Sequence, residues 1–466
     1  MTDTRCQSCT PVGDNVTDSI VSLSSVRATI LIFPTCSNRS ITFVATIASI
    51  VSLHTRRQLL ATIGVTGGTF LAGCSTDRLS GGWPQTAETT TDPLPGEEHD
   101  WAQFGRTPGH TGFAPDIQLE DPDPVWTVNF DGGLTSPAVV GDRVFVQTGS
   151  GSGSDGTGTV VALNADGEEH WQQELPGFGG SYSGCPPIVH RGSVYVGGVN
   201  GFYALNARDG SPRWGRETNG SVNEAVLGRE GRVFASDSER LLALDTRGQE
   251  GWTYATGDDR FSSAVPAAGG GYVLYATRVL GSVVAIRPGT VGDPRTEWRY
   301  APGETSFDTP IVIDGDAYIP GERLHALSAT TGAVRWTTPI QPSGEISTDG
   351  DRVYVPTENG SLVALDTADG TERWRVSLSA EEGTFLRTRP LVTERSVIVT
   401  PEKPGLDEPV TTTAVDRENG EVRWRHEQPG NIGYDAVAAD GRIYVPILWD
   451  FTLNRESAGT LVALAD

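Results

Sequence analysis

The chain has 466 residues, 37% of them apolar and 20% charged, with 57 glycines and 29 prolines. That much apolar material builds a sizeable core and excludes global disorder, while the turn-forming residues exclude long helices and favour many short strands. The 59 acidic groups outweigh the 35 basic ones, for a net charge of −24, so nucleic acid and anionic headgroups are repelled and neither is expected as a partner.

In chain order, the first element with a clear physical character lies at residues 53–74. Arg56 and Arg57 open it, a short moderately apolar stretch follows, and Leu71-Ala72-Gly73-Cys74 closes it on small residues. A charged start, an apolar middle and a small-residue end make a signal peptide. The middle is too short to span a bilayer, which takes ~20 apolar residues. Twin arginines followed by two leucines resemble a Tat signal, the route for proteins exported already folded. The ending resembles a lipobox, which implies cleavage before Cys74, lipid on its thiol, and an anchor of two or more acyl chains.

A signal belongs at the start of a chain, yet residues 1–52 precede this one. Val51 and Leu53 are residues whose codons serve as alternative starts. Residues 1–52 are therefore expected to be an extension from a misplaced gene start. The competing reading is a membrane segment over the apolar run Ile41 to Leu53. Residues 75–100 are polar, threonine- and proline-rich, with too little apolar surface to bury, and predict a flexible tether. Together these segments predict a protein held by lipid on the outer face of the cell membrane, touching the membrane through that anchor only.

From Trp101 onward an internal repeat takes over. Its clearest copy runs Ala364, Gly370, Trp374, and the same spacing recurs in Ala204-Gly210-Trp214, Ala326-Gly332-Trp336 and Ala414-Gly420-Trp424. Copies one residue shorter end on Trp171 and Trp252, and a stretched copy, its turn enlarged by Pro288 and Pro294, ends on Trp298. Alternating strands precede the copies, as in Arg143–Val146, Val353–Val355 and Ile443–Val445, eight in all. Each unit predicts four strands joined by hairpins, with the glycine supplying a positive φ and the tryptophan packing between neighbouring units. The last copy stops at Asp466 without its tryptophan strand, while an unassigned one waits at Trp126. Joining them completes an all-β, eight-bladed propeller over 101–466, closed by pairing the N-terminal and C-terminal strands. The spacing between signature tryptophans, about 43 residues, is an ordinary blade length.

The Ala-Leu-Asp…Gly…Trp unit resembles the repeat of pyrroloquinoline-quinone (PQQ)-dependent alcohol dehydrogenases. The opening Trp101-Ala102-Gln103-Phe104-Gly105-Arg106-Thr107-Pro108-Gly109-His110-Thr111-Gly112 is similar to the start of smaller PQQ-like repeat proteins, among them the propeller lipoprotein of the bacterial outer-membrane assembly machine. Acid excess with a single lysine, Lys403, resembles proteins of halophilic archaea, whose charge is screened by concentrated salt.

The fold by itself says little about chemistry. Loops from the outer strand of one blade to the inner strand of the next should surround a central funnel. They carry Asn223, Glu224, Asp308, Glu345, Arg387, Arg389 and Asp435, the candidate binding residues. A quinoprotein with PQQ and Ca would draw on these types, with oxygen ligands for the cation and arginine for the cofactor's carboxylates. Against it, the chain has no adjacent Cys-Cys pair, no large insertions walling the site, and no Cys-x-x-Cys-His for a haem. Its five cysteines are Cys6, Cys9, Cys36, Cys74 and Cys185, and its seven histidines have no zinc-ligand spacing. The expectation is a monomeric, non-catalytic surface scaffold without catalytic residues, metal or cofactor, binding another surface or membrane protein. The alternative is a PQQ/Ca-dependent alcohol or aldose dehydrogenase.

Overall fold

In a computed structural model of the full chain, the residues described are 93–95 and 100–466, except 151–156, 177–184, 199–200, 219, 221, 223, 229–230, 238, 256–264, 278–280, 289–293, 305–306, 379–385, 402–408, 431 and 452–455. The expected signal at Arg56, Arg57 and Cys74 lies outside them, as does the extension at 1–52. Of the expected tether, Leu94 packs against the seam of blades 1 and 2, and the Asp100 carboxylate accepts the Gly141 N–H at 2.7 Å.

The described residues form eight sheets, antiparallel except for the short pair that Phe113–Ala114 makes with blade 7, and no helix. Blade 1 spans 133–175, blade 2 188–217, blade 3 224–255, blade 4 267–300, blade 5 311–338, blade 6 347–377 and blade 7 391–428. Blade 8 takes its inner strands from 432–465 and its outermost strand from Asp123–Phe130, with Trp126 opposite Ala463 and Val128 opposite Leu461. This is the closure expected from the sequence. The first strands of most neighbouring blades touch one another, which places them around the axis.

The Ala-Gly-Trp signature has a physical reason at both ends. Seven of its tryptophans, 171, 214, 252, 298, 336, 374 and 424, are buried, and Trp126 is half-buried. Each pairing of a blade's two outer strands slips register beside the signature, a bulge that twists the exposed edge and discourages edge-to-edge association. The glycine serves the blade before its own. Gly370 sits at φ 73 flat against Trp336 of blade 6's predecessor, and a Cβ there would come within 2.7 Å of that ring. The indole N–H then donates to a carbonyl in the next blade's outer turn: Trp336 to Thr367 at 2.9 Å, Trp374 to Arg417 at 2.9 Å. Blade 8 has no such turn of its own, so Trp424 donates to Leu119 at 3.3 Å, from the N-terminal stretch.

Asp314-Gly315-Asp316, a calcium-loop look-alike, is a hairpin turn with Asp314 at φ 50 and Gly315 at φ 87. Cys185 is fully buried between blades 2 and 3 with Ile188 and Trp214, as a small apolar side chain.

Candidate functional site

The first strands of blades 1 to 7 each turn a backbone N–H toward the axis, and these groups need acceptors there. The stretch Trp101–Gly112 supplies them. Carbonyls of Trp101 and Ala102 accept from Val139 and Val189 of blades 1 and 2, each at 2.8 Å. The Gln103 side chain accepts from Leu227 of blade 3 at 2.9 Å. Pro108, Gly109, Thr111 and Gly112 accept from Ala268, Val312, Thr348 and Val392 of blades 4 to 7, at 2.6, 2.9, 2.9 and 2.9 Å. Phe113–Ala114 then lie parallel to the first strand of blade 7. Approach is close enough that a Cβ on Gly109 would collide with the Val312 carbonyl. The propeller's axis is therefore plugged by its own N-terminal stretch.

His110 locks this plug. It is fully buried at φ 59, its Nε2 2.9 Å from the Pro266 carbonyl and its Nδ1 3.1 Å from that of Phe104. Burial, then the charge of Arg389, pushes the imidazole down to about 4, so near neutrality the ring is uncharged and donates to one of the two carbonyls. An unfolded histidine takes up its proton near pH 6.5, whereas the folded ring resists until about pH 4. The stability this represents is present above pH 6.5 and is lost as pH falls toward 4. Thermal melts across that window should show the loss, about 3 kcal/mol. His110→Asn, which tolerates the backbone and does not titrate, should flatten this fall while lowering stability throughout; an unchanged slope would remove His110 from the account.

Above the plug, loops entering blades 5 to 8 bring Asp308, Glu345, Arg389 and Asp435 together. Arg389 is buried, its guanidinium 4.4 Å above the Phe104 ring. Nη1 donates to the carbonyls of His110 at 2.7 Å and Ile346 at 3.3 Å, and Nη2 pairs with Glu345. The Asp435 carboxylate accepts the Arg389 backbone N–H at 2.7 Å and lies 3.7 Å from Nε. Glu345 also accepts from Thr309 Oγ1 at 2.8 Å. Burial pushes Arg389 down to about 10, still cationic at neutral pH. Burial, helped by Asp308, holds Asp435 above the ordinary carboxylate range despite Arg389.

Of the other expected funnel residues, Arg387 and Asp308 are exposed, Asp308 with one carboxylate oxygen accepting the Thr309 N–H at 2.9 Å. Asn223 and the Glu224 side chain lie outside the described residues. Thr309, Phe104 and His110 belong to the cluster and were not anticipated from the sequence.

A closed eight-bladed ring of PQQ-like repeats with a self-plugged axis defines the structural class. The chain belongs to the family described as outer membrane protein assembly factor BamB, whose model matches residues 116–176, 156–306 and 320–446. It is 26% identical over 334 residues to the protein of that name from Burkholderia pseudomallei (strain K96243), covering 64% of this chain and 83% of that one. The crystal structure of BamB from Moraxella catarrhalis superposes with a TM-score of 0.56 at 19% identity, covering 74% of this chain and 98% of that one. A europium-containing methanol dehydrogenase superposes with a TM-score of 0.62 at 12% identity, covering 79% and 98%. The likeness to both solved structures is one of fold.

The described funnel residues do not fit PQQ with a cation. Both Arg389 Nη atoms are engaged within the protein, and Nε is buried without a hydrogen-bond acceptor, so Arg389 offers no donor to a cofactor carboxylate. Glu345 is committed to Thr309 and Arg389. Among the described residues no three His, Cys, Asp or Glu side chains are grouped as a metal would need.

Proposed function

We propose that this chain is a non-catalytic scaffold, carried outside the cell membrane by lipid on Cys74, whose funnel face binds another membrane or surface protein. The observation that carries it is the internal neutralisation of Arg389 over a plugged axis. With Arg389 offset by Glu345 and Asp435, the exposed Asp308 carboxylate is left free to meet a basic surface on a partner. The name shared by the curated relatives, an assembly factor for membrane proteins, supports a partner of that kind. In this reading Arg56 and Arg57 direct export, residues 53–74 are removed as far as Cys74, residues 75–100 span the distance to the membrane, and residues 1–52 are absent from the mature protein. The single lysine and net charge of −24 suit concentrated salt, and the propeller works as a monomer.

The test is capture of partners from native membranes in high salt, read by mass spectrometry. Cys74→Ser should release the propeller into the medium, because the tether alone has no membrane affinity. Asp308→Arg should lose the captured partner while the propeller melts as before. A Cys74→Ser protein that stays in the membrane fraction, or an undiminished capture by Asp308→Arg, would refute the respective half of the reading.

A further inference from the structure

The seam between blades 3 and 4 departs from the repeat. Among the described residues, Trp126, Trp171, Trp214, Trp298, Trp336 and Trp374 each meet the following blade's glycine, and Trp424 is capped by Leu119. In this seam the buried Trp252 Nε1 has no acceptor among the described residues. On that seam, at the face opposite the funnel, a cavity of about 180 Å³ opens between the first hairpins of the two blades. Phe234, Ala268, Tyr272, Val273 and Pro288 make its apolar walls, and Arg232 is the one charged residue among the described lining. Phe234, Ala268 and Val273 also pack in the cluster that holds Trp252, with the Phe234 and Trp252 rings 5.7 Å apart.

Arg232 gives that space its chemistry. In a chain with 59 acidic groups, no hydrogen bond or ion pair of its side chain occurs among the described residues, whereas the neighbouring Arg287 is paired with Glu297 at 2.8 Å. An apolar cavity of about 150 Å³ takes a benzene-sized body, and an unpaired guanidinium selects a carboxylate beside it.

We propose that the blade 3–blade 4 notch binds a compact carboxylate with an apolar body, its charge on Arg232 and its hydrocarbon against Phe234 and Tyr272. The carboxylate belongs either to a small free acid or to the C-terminal residue of a polypeptide, which share this chemistry.

Calorimetric titration of the full chain with phenylacetate tests it, with the Trp252 indole N–H followed by NMR. One saturable site is expected, with the Trp252 signal shifting in step. Phenylacetamide should bind at least tenfold more weakly, and Arg232→Gln should weaken phenylacetate at least tenfold without moving the melting temperature. Ala268→Leu, which fills the notch, should abolish binding, so the proposal stays testable if the arginine variant folds poorly. A peptide ending in a free phenylalanine carboxylate, compared with its amidated form, separates the two sources: tighter binding of the free peptide than of phenylacetate marks a polypeptide terminus, and binding of phenylacetate alone marks a small acid. Absence of saturation, or equal binding by the amide or by Arg232→Gln, overturns the proposal.

Discussion

A chain lacking residues 101–130 will not reach a soluble monomeric native state. The deletion removes the outermost strand of blade 8, registered from Asp123 opposite Ala465 to Phe130 opposite Gly459, and leaves the strand Glu456–Ala465 with an open edge. Unpaired edges of that length recruit other chains. It also removes the plug, stranding N–H groups of seven innermost strands against an empty axis, where each buried unpaired group costs about 1–3 kcal/mol. Losses of that size exceed the ~5–15 kcal/mol by which domains are stable. Size-exclusion chromatography with light scattering and a thermal melt read the outcome. Supplying residues 101–130 as a separate peptide should restore part of the folded monomer. A truncated protein that stays monomeric with an unchanged melt would contradict both closures.

Trp374→Ala should destabilise the propeller by about 3–5 kcal/mol, the cost of truncating a buried large aromatic. Its ring packs 6.0 Å from Tyr354 within its own blade and lies over Gly420 of the next, to which its indole is tied through Arg417. Neighbours on both sides are backbone or rigid rings, so the seam has little freedom to collapse into the void. Denaturant titration at fixed salt measures the effect. A loss below about 1 kcal/mol, the size of an ordinary surface change, would mean that the tryptophan is not a seam residue.

These two features differ in how far the sequence disclosed them. The tryptophan seam was legible because every blade makes the same demand, so its residues recur at blade spacing. The closure was legible because Trp126 was a strand without a repeat and the last repeat lacked a strand. The plug was not. Its residues Trp101–Gly112 stood out as a motif, but their acceptors answer N–H groups whose orientation appears only once the ring is closed. The pairing of Arg389 with Glu345 and Asp435 lies between. Those residues sit 44 and 46 positions apart, one blade each way, so charges of opposite sign at blade spacing in equivalent loops were a usable signal. Thr309 and Phe104 join them through local backbone geometry that leaves no pattern. The same holds for the blade 3–blade 4 notch. Pro288 and Pro294 marked an enlarged turn, but nothing in the sequence pointed to a cavity beside Arg232.

The plug also sets a timetable. Trp101–Gly112 is made before any blade, yet its partners run in order from Val139 to Val392, and the last of them leaves the ribosome only after six further blades. At ~5–20 residues per second, the segment waits roughly 15–60 s between its own synthesis and the arrival of its final partner. Each blade that forms can take one of its carbonyls, so the segment is threaded stepwise, like a drawstring gathered one eyelet at a time. The drawstring has one eyelet for each of blades 1 to 7 and then turns outward to become the eighth blade's last strand.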